Sequence, residues 1–432
     1  MFIDMDDVSF PGLDYDIYPK MAKVQQKFDT PCLYDLEDAV RKQLARPEIN
    51  ALIHPETNIA VLVGSRGINR IDRIVKAVLN GLKARGAKPF IVPAMASHGG
   101  ATKEGQADLL ASYGITEKTM GVKIRSDMEP EEIGLTPSGV RVFFDKNALH
   151  ADGVIPINRI KCHTAFRGET ESGCIKMLTI GAGKQRGAES LHSHGADTFG
   201  TLLPEAFEVV RAHANILFGV GIVENAQEKT ALIEAMPVNQ IHNREKELLK
   251  LANLYMPKIL IDSFDVLIVG ETGKNFSGDG MDPNIMGRFA VPGMMGGPKY
   301  QRMAVLDVSD ESHGNAVGMG LADVVPRRMI ERTKFAYMYM NAYTSKMVIP
   351  IVKMPIVAKD DRDAIGVALR TCVRVERGKE RVIAIPNTLN LQHIWVSEAL
   401  MDVVQDNKKF TVLEEPKPMA FDEEGRLHLF DS

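Results

Sequence analysis

Between Arg159 and Ala196 the chain reads RIKCHTAFRGETESGCIKMLTIGAGKQRGAESLHSHGA. His163, Lys176, His192 and His194 fall close together there, with glycines at 168, 173, 181, 183 and 187. Imidazoles in a His-x-His pair can ligate a metal. A zinc site wants three or four ligands, and no partner carboxylate stands at a suitable spacing. A lysine among Ile175, Met177 and Leu178 would be desolvated and nucleophilic, as a Schiff-base lysine is. A loop with surface histidines accounts for the same residues, so spacing alone leaves all three readings open. The glycine content predicts a poor core strand and a backbone suited to wrapping a bound group closely.

The elements that must position these residues alternate between β and α. Ile59–Val63 reads as a buried strand running into GSRGINR, residues 64–70. Ile71, Ile74, Val75, Val78, Leu79 and Leu82 then form one apolar helix face, closed by Gly86. Pro89–Met95 is the next strand, so strand, helix and strand form a βαβ unit. A glycine turn between strand and helix gathers backbone N–H groups and the positive helix end, which favours an anion, and Arg66 adds a fork for carboxylate or phosphate. His98 follows the second strand in SHGGATKEGQ, where a histidine can serve as a general base or as a cap. Gly153–Ile157 is the strand leading into His163, which places the site at a strand's carboxyl end.

Further helices are expected at 36–44, 103–112, 204–213, 244–254, 316–332, 334–346 and 362–372, and strands at 140–144, 216–224, 265–269, 303–308 and 382–385. The fold class expected is α/β in two domains, each with a mostly parallel or mixed sheet flanked by helices. The active site is expected in the cleft between them. Residues 1–262 form the expected cofactor-binding domain and 263–432 a domain contributing substrate loops. Its long loop NFSGDGMDPNIMGR, residues 275–288, offers Asn284 and Arg288 as polar groups for a substrate carboxylate, or is a surface Ω-loop.

Composition sets outer limits. At 432 residues, two domains are the prior. A net charge of −4 gives no basic footprint for nucleic acid. Cys32, Cys162, Cys174 and Cys372 include no Cys-x-x-Cys pair. The acidic start MFIDMDDVSF lacks the apolar core of a signal peptide, and no apolar run suffices to span a membrane. A cytoplasmic location is therefore expected.

Taken together the segments resemble the lactate racemase family, whose members racemise or epimerise 2-hydroxy acids with a nickel-pincer nucleotide. The resemblance covers most of the chain and rests chiefly on His163, Phe166-Arg167-Gly168, Ser172-Gly173-Cys174-Ile175-Lys176, Gly181, and His192 sixteen residues beyond the lysine. It implies that Lys176 holds the cofactor covalently and that His192 is the protein ligand of nickel. It makes His98 and His163 the two catalytic bases and Arg66 the residue that orients substrate. Gly64, Ser65, Ser172 and Gly173 would border the cofactor, with Asn284 and Arg288 toward substrate. The implied reaction inverts C2 by hydride transfer to and from the cofactor. Lactate racemases carry Gly-Arg where this chain has Cys174 and Ile175, and Tyr, Gln and Lys where it has Met286, Gly287 and Arg288. A different or larger 2-hydroxy acid, such as a sugar acid, is the implied substrate, with self-association left open. Two rivals remain: an NAD-dependent hydroxy-acid dehydrogenase using the Gly181–Gly187 loop, and a non-catalytic nucleotide or sugar-acid binder using GSRG.

Overall fold

The computed structural model describes residues 8–14, 17–64, 67–345 and 349–430. Its strands in chain order are β1 (Met21–Gln26), β2 (Asn58–Val63), β3 (Lys88–Pro93), β4 (Pro130–Leu135), β5 (Arg141–Asp145), β6 (Gly153–Arg159), β7 (Phe218–Glu224) and β8 (Thr230–Pro237). They continue with β9 (Val266–Thr272), β10 (Arg302–Val308), β11 (Val324–Pro326), β12 (Ile356–Ala358), β13 (Val382–Ile385), β14 (His393–Ser397) and β15 (Phe410–Val412). The chain is α/β and divides into two compact units, each built on a mixed sheet flanked by helices.

One unit is the contiguous stretch Asp29–Met256. Its sheet runs β3-β2-β6-β7-β8, with the first four strands parallel and β8 antiparallel to β7. β2 is apolar and buried from its second residue on, as a parallel strand covered on both faces must be. The helix Ile71–Lys83 buries all six residues of the apolar face read from the sequence. They join β2, β3 and β6 side chains in one core. β4 and β5 form a separate antiparallel hairpin.

The second unit holds the chain up to Phe28 and from Pro257 onward. Its sheet order is β12-β11-β10-β9-β13-β14-β1-β15. The expected N-terminal domain of residues 1–262 is therefore corrected at its start. β1 buries residues from MAKVQQ and pairs antiparallel with β14 and β15, so the first described strand completes a sheet otherwise made from residues 266–412.

Two other expectations give way. The helix expected over 316–332, with Pro326 as a point of breakage, is α-helical only beyond that proline, over Arg327–Arg332, while Val324 and Val325 enter β11 between β10 and β12. β-branched neighbours favour the strand, and Pro326 caps the helix that follows. The glycine-rich stretch after Gly173 is helical rather than an open loop. It runs as Cys174–Lys176, a π-helical turn Met177–Gly181, and Lys184–His192 after a break.

Leu79 is fully buried in the core between the 71–83 helix and the sheet. Leu79→Ala is expected to lower unfolding stability by about 2–5 kcal/mol, read from the midpoint of a urea titration at unchanged slope.

Candidate active site

β3, β2 and β6 lie side by side and parallel, so their carboxyl ends share one edge. The loop carrying His98 leaves β3, the glycine turn starting at Gly64 leaves β2, and the loop carrying His163 leaves β6. Three candidate segments far apart in sequence are thereby brought to one place. Ser65 and Arg66 lie outside the described residues.

The His163 loop is closed on itself. Lys161 and Ser172 exchange backbone hydrogen bonds of 3.0 and 3.1 Å, pinning residues 162–171 against the end of β6. Within it, Glu171 is buried, and its Oε2 accepts the His163 backbone N–H at 2.5 Å. Burial pushes the Glu171 carboxyl up, against the pull of the His163 and Gly168 N–H groups and the charges of Arg167 and Lys176. His163 Nδ1 accepts the Ala165 N–H at 3.0 Å. A neutral ring so engaged carries its proton on Nε2.

Lys176 ends the first helical segment, half-buried. A straight α-helix would carry a residue sixteen positions on about 24 Å along its axis. Here the helix breaks at Lys184, where φ is +54°. Beyond the break, His192 and Lys176 both reach one aromatic pair. Lys176 Nζ stands 5.9 Å over the Phe166 ring, and the His163 ring lies 4.3 Å from the same ring. Phe166 meets Phe199 edge-on at 5.3 Å, and the His192 ring is 5.2 Å from Phe199. His163 and Lys176 thus meet one phenyl ring, and His192 meets the ring packed edge-on against it. His194 is exposed, and the aromatic contact belongs to His192. Among the described residues no three His, Cys, Asp or Glu side chains gather as a protein-only metal site would need.

The helix bearing Lys176 is seated by contacts that the sequence does not announce. Glu245, fully buried, accepts the Cys174 and Ile175 N–H groups on Oε2 at 2.8 and 3.2 Å. A Cβ at Gly173 would meet this carboxyl at 2.4 Å, so only glycine fits. Asn158, in β6, donates to Gly173 O at 2.7 Å. Gly173 therefore serves close packing as well as bordering the site. Burial pushes the Glu245 carboxyl up to about 7, opposed by the two N–H donors. The glycines of GAGKQRG are packing residues too. A Cβ on Gly181 would stand 2.5 Å from Ala94 O, and one on Gly183 3.0 Å from the Gly187 Cα and Thr179 O. Protein backbone fills the space a dinucleotide phosphate would take, which counts against the dehydrogenase reading of this loop.

Asn284 and Arg288 belong to the other unit. Asn284 Nδ2 donates to Asp282 Oδ1 at 2.9 Å. Arg288 donates to Asp323 Oδ2 at 2.6 Å, Leu321 O at 2.7 Å and Gln301 O at 3.1 Å, and lies 5.0 Å over the Tyr300 ring. Much of its donor capacity is used in tying that loop together, a competing use for the guanidinium expected to hold substrate. Phe166, Phe199, Glu171 and Glu245 were not singled out from the sequence. Phe166 could have been, as an aromatic inside the histidine stretch, but nothing in the sequence links Glu245 to Gly173.

Comparison with known proteins places this geometry. The family described as "Domain of unknown function (DUF362)" matches residues 64–236, the stretch that contains His98, His163, Lys176 and His192. No curated protein matches the chain. The lactate racemase apoprotein from Thermoanaerobacterium thermosaccharolyticum superposes with a TM-score of 0.52 at 14% identity, over 85% of this chain and 94% of that one. The chain has the lactate racemase fold. A structural-genomics protein from Thermotoga maritima aligns with a TM-score of 0.48 at 10% identity, over 82% of this chain and 96% of that one. Among the described residues no helix is long and apolar enough to cross a membrane.

Glu245 yields a pH signature. Its folded pKa lies above the ordinary 4.5, so the native state holds a proton that the unfolded chain has lost. Stability from this group is fully present below about 4.5 and falls as pH rises to about 7. Glu245→Gln keeps an acceptor for both N–H groups and removes the titration. Relative to wild type it should gain up to about 3 kcal/mol between pH 5 and pH 8 in urea unfolding. A pH-independent difference would reject the assignment.

Proposed function

We propose that the protein is a racemase or epimerase that inverts C2 of a 2-hydroxy acid, with a nickel-pincer nucleotide held on Lys176. The observation carrying this reading is that Lys176 and His192 reach the same Phe166–Phe199 pair from opposite sides of a broken helix. An amine and an imidazole on one edge-packed pair of phenyl rings suit a group bonded to the first and metal-ligated by the second. A metal that arrives already chelated needs only one protein ligand, a part His192 would fill. When bound, such a group supplies a reversible hydride acceptor.

The chain's own residues then have these tasks. Lys176 Nζ anchors the group, and His192 ligates its metal. Phe166 and Phe199 exclude water from one face, which strengthens each polar contact made there. Oxidation at C2 requires a base for the hydroxyl proton, and reduction from the other face requires an acid. The Ala165 N–H bound to Nδ1 leaves Nε2 as the atom through which His163 exchanges a proton, as donor when the ring is imidazolium and as acceptor when it has given that proton up. His98, in the loop that leaves β3, supplies the second acid/base group. The two roles exchange in the reverse direction. Gly64, Ser65 and Arg66 would offer backbone N–H groups and a guanidinium to the phosphate of the nucleotide and the substrate carboxylate. The substrate is a 2-hydroxy acid different from or larger than lactate, such as a sugar acid, and nucleic acid and membrane play no part in this reading.

Protein made in cells that synthesise the nucleotide is the material for the test. Intact-mass and peptide analysis should find a nickel-bearing adduct on Lys176, and polarimetry over a panel of 2-hydroxy acids should find one whose rotation decays. Lys176→Ala should abolish both signals. His98→Gln and His163→Gln should each keep the adduct and slow inversion by about 10² to 10⁴. Full activity in protein whose Lys176 is unmodified would overturn the proposal.

A further inference from the structure

Lys184 is a fully buried lysine to which the proposed reaction gives no task. It occupies the break between the helical segments bearing Lys176 and His192, in a left-handed conformation that a lysine rarely adopts. Its ammonium pairs with Asp145 Oδ2 at 3.1 Å, where both side chains are shut off from solvent. It also donates to Pro93 O at the end of β3 and stands 3.5 Å from Gln106 Oε1. Gln106 is fully buried as well. Its Nε2 donates to Ala96 O at 2.8 Å and to His98 O at 3.4 Å. Ala96 N–H in turn donates to Gly181 O, at the end of the π turn, at 3.1 Å.

The loop so held is strained. Ala96 and Ala101, on either side of His98, both have positive φ, at +53° and +54°. Conformations of this kind persist only where the surroundings over-determine them. The amide of Gln106 and the peptide of Gly181 are the surroundings here, and Lys184 orients the amide. Burial pulls the Lys184 ammonium down while the Asp145 carboxylate beside it pulls the other way. Such a pair is costly to bury, and conformational specificity is the return it can offer.

We propose that Lys184 is a positioning residue which, through Gln106, fixes the backbone of His98 relative to the helix that carries Lys176 and His192. The relay makes one rigid body of His98 and the proposed cofactor anchor. It rests on the reading of His98 as an acid/base group for its functional meaning, but not for its physical test.

Gln106→Leu isolates the relay, since it leaves the Lys184–Asp145 pair in place and removes the bridge to Ala96 O and His98 O. In ¹⁵N-labelled full-length protein, with the His98 ring signal assigned by His98→Gln, the variant should split or broaden that signal. The His150 and His194 signals should be unchanged. Native-state trypsin cleavage after Lys103, in the same connection, should rise roughly tenfold or more while cleavage in the other unit stays constant. Lys184→Met should give the same signature, and where it does not accumulate as folded protein, Gln106→Leu decides. An unchanged His98 signal, or cleavage rising equally at every site, would reduce both residues to general stability and overturn the proposal. Neither readout needs substrate or cofactor. Failure to invert any hydroxy acid would sink the functional reading and leave this one standing.

Discussion

The parallel pairing of β3, β2 and β6 is the constraint on which the site depends. Parallel strands send their outgoing loops to the same edge, so three connections separated by tens of residues open onto one region. The register is continuous, from Asn58 opposite Lys88 to Val63 opposite Pro93, and from Ile59 opposite Gly153 to Val63 opposite Ile157. A one-residue slip would turn each strand's buried side chains to the opposite face and displace the loop that follows. Chemistry carried on loops is therefore referenced to a rigid ladder of backbone hydrogen bonds.

The helix spanning the break adds the second reference. It lies across the strand ends: Met177 is against Gly64, Gly181 against Ala94, and Lys184 against Pro93. A Cβ on Gly64 would stand 3.0 Å from Met177 Cε, and one on Gly181 2.5 Å from Ala94 O. The π turn fits the same picture, since an extra residue per turn redirects the side chains around it and is common at functional sites. Buried carboxylates hold the site from behind. Glu171 and Glu245 each accept backbone N–H groups of the segments they support, and each is pushed up by its lack of solvent.

What could be read from the sequence followed from local burial. The Ile71–Leu82 face recurs at helical spacing because one side of that helix is covered, and β2 and β6 read as apolar runs because both their faces are. The helix through Lys176 escaped the same reading. Its glycines suggest a loop, yet they are fixed by close approach to Glu245, Ala94 and Thr179, which only the folded chain supplies. The histidines and the lysine were legible as a group by type and spacing. Phe199, which joins His192 to them, was not, because it lies in another helix and looks like any core aromatic. Arg288 was legible as a candidate but not its engagement with Asp323, since the two are brought together by tertiary folding alone.

The placement of β1 has a consequence for how the chain is made. Synthesis delivers residues 29–256 with every strand of their sheet in one uninterrupted run, so that unit can close while the ribosome is still at work. β1 precedes that unit in the chain, but its two neighbours, β14 and β15, follow it. Until they are made, the strand's backbone lacks its ladder partners, an unpaired edge of the kind that must be kept from other chains. The unit bearing His98, His163, Lys176 and His192 can thus close before the second, whose sheet needs β14 and β15 beside β1.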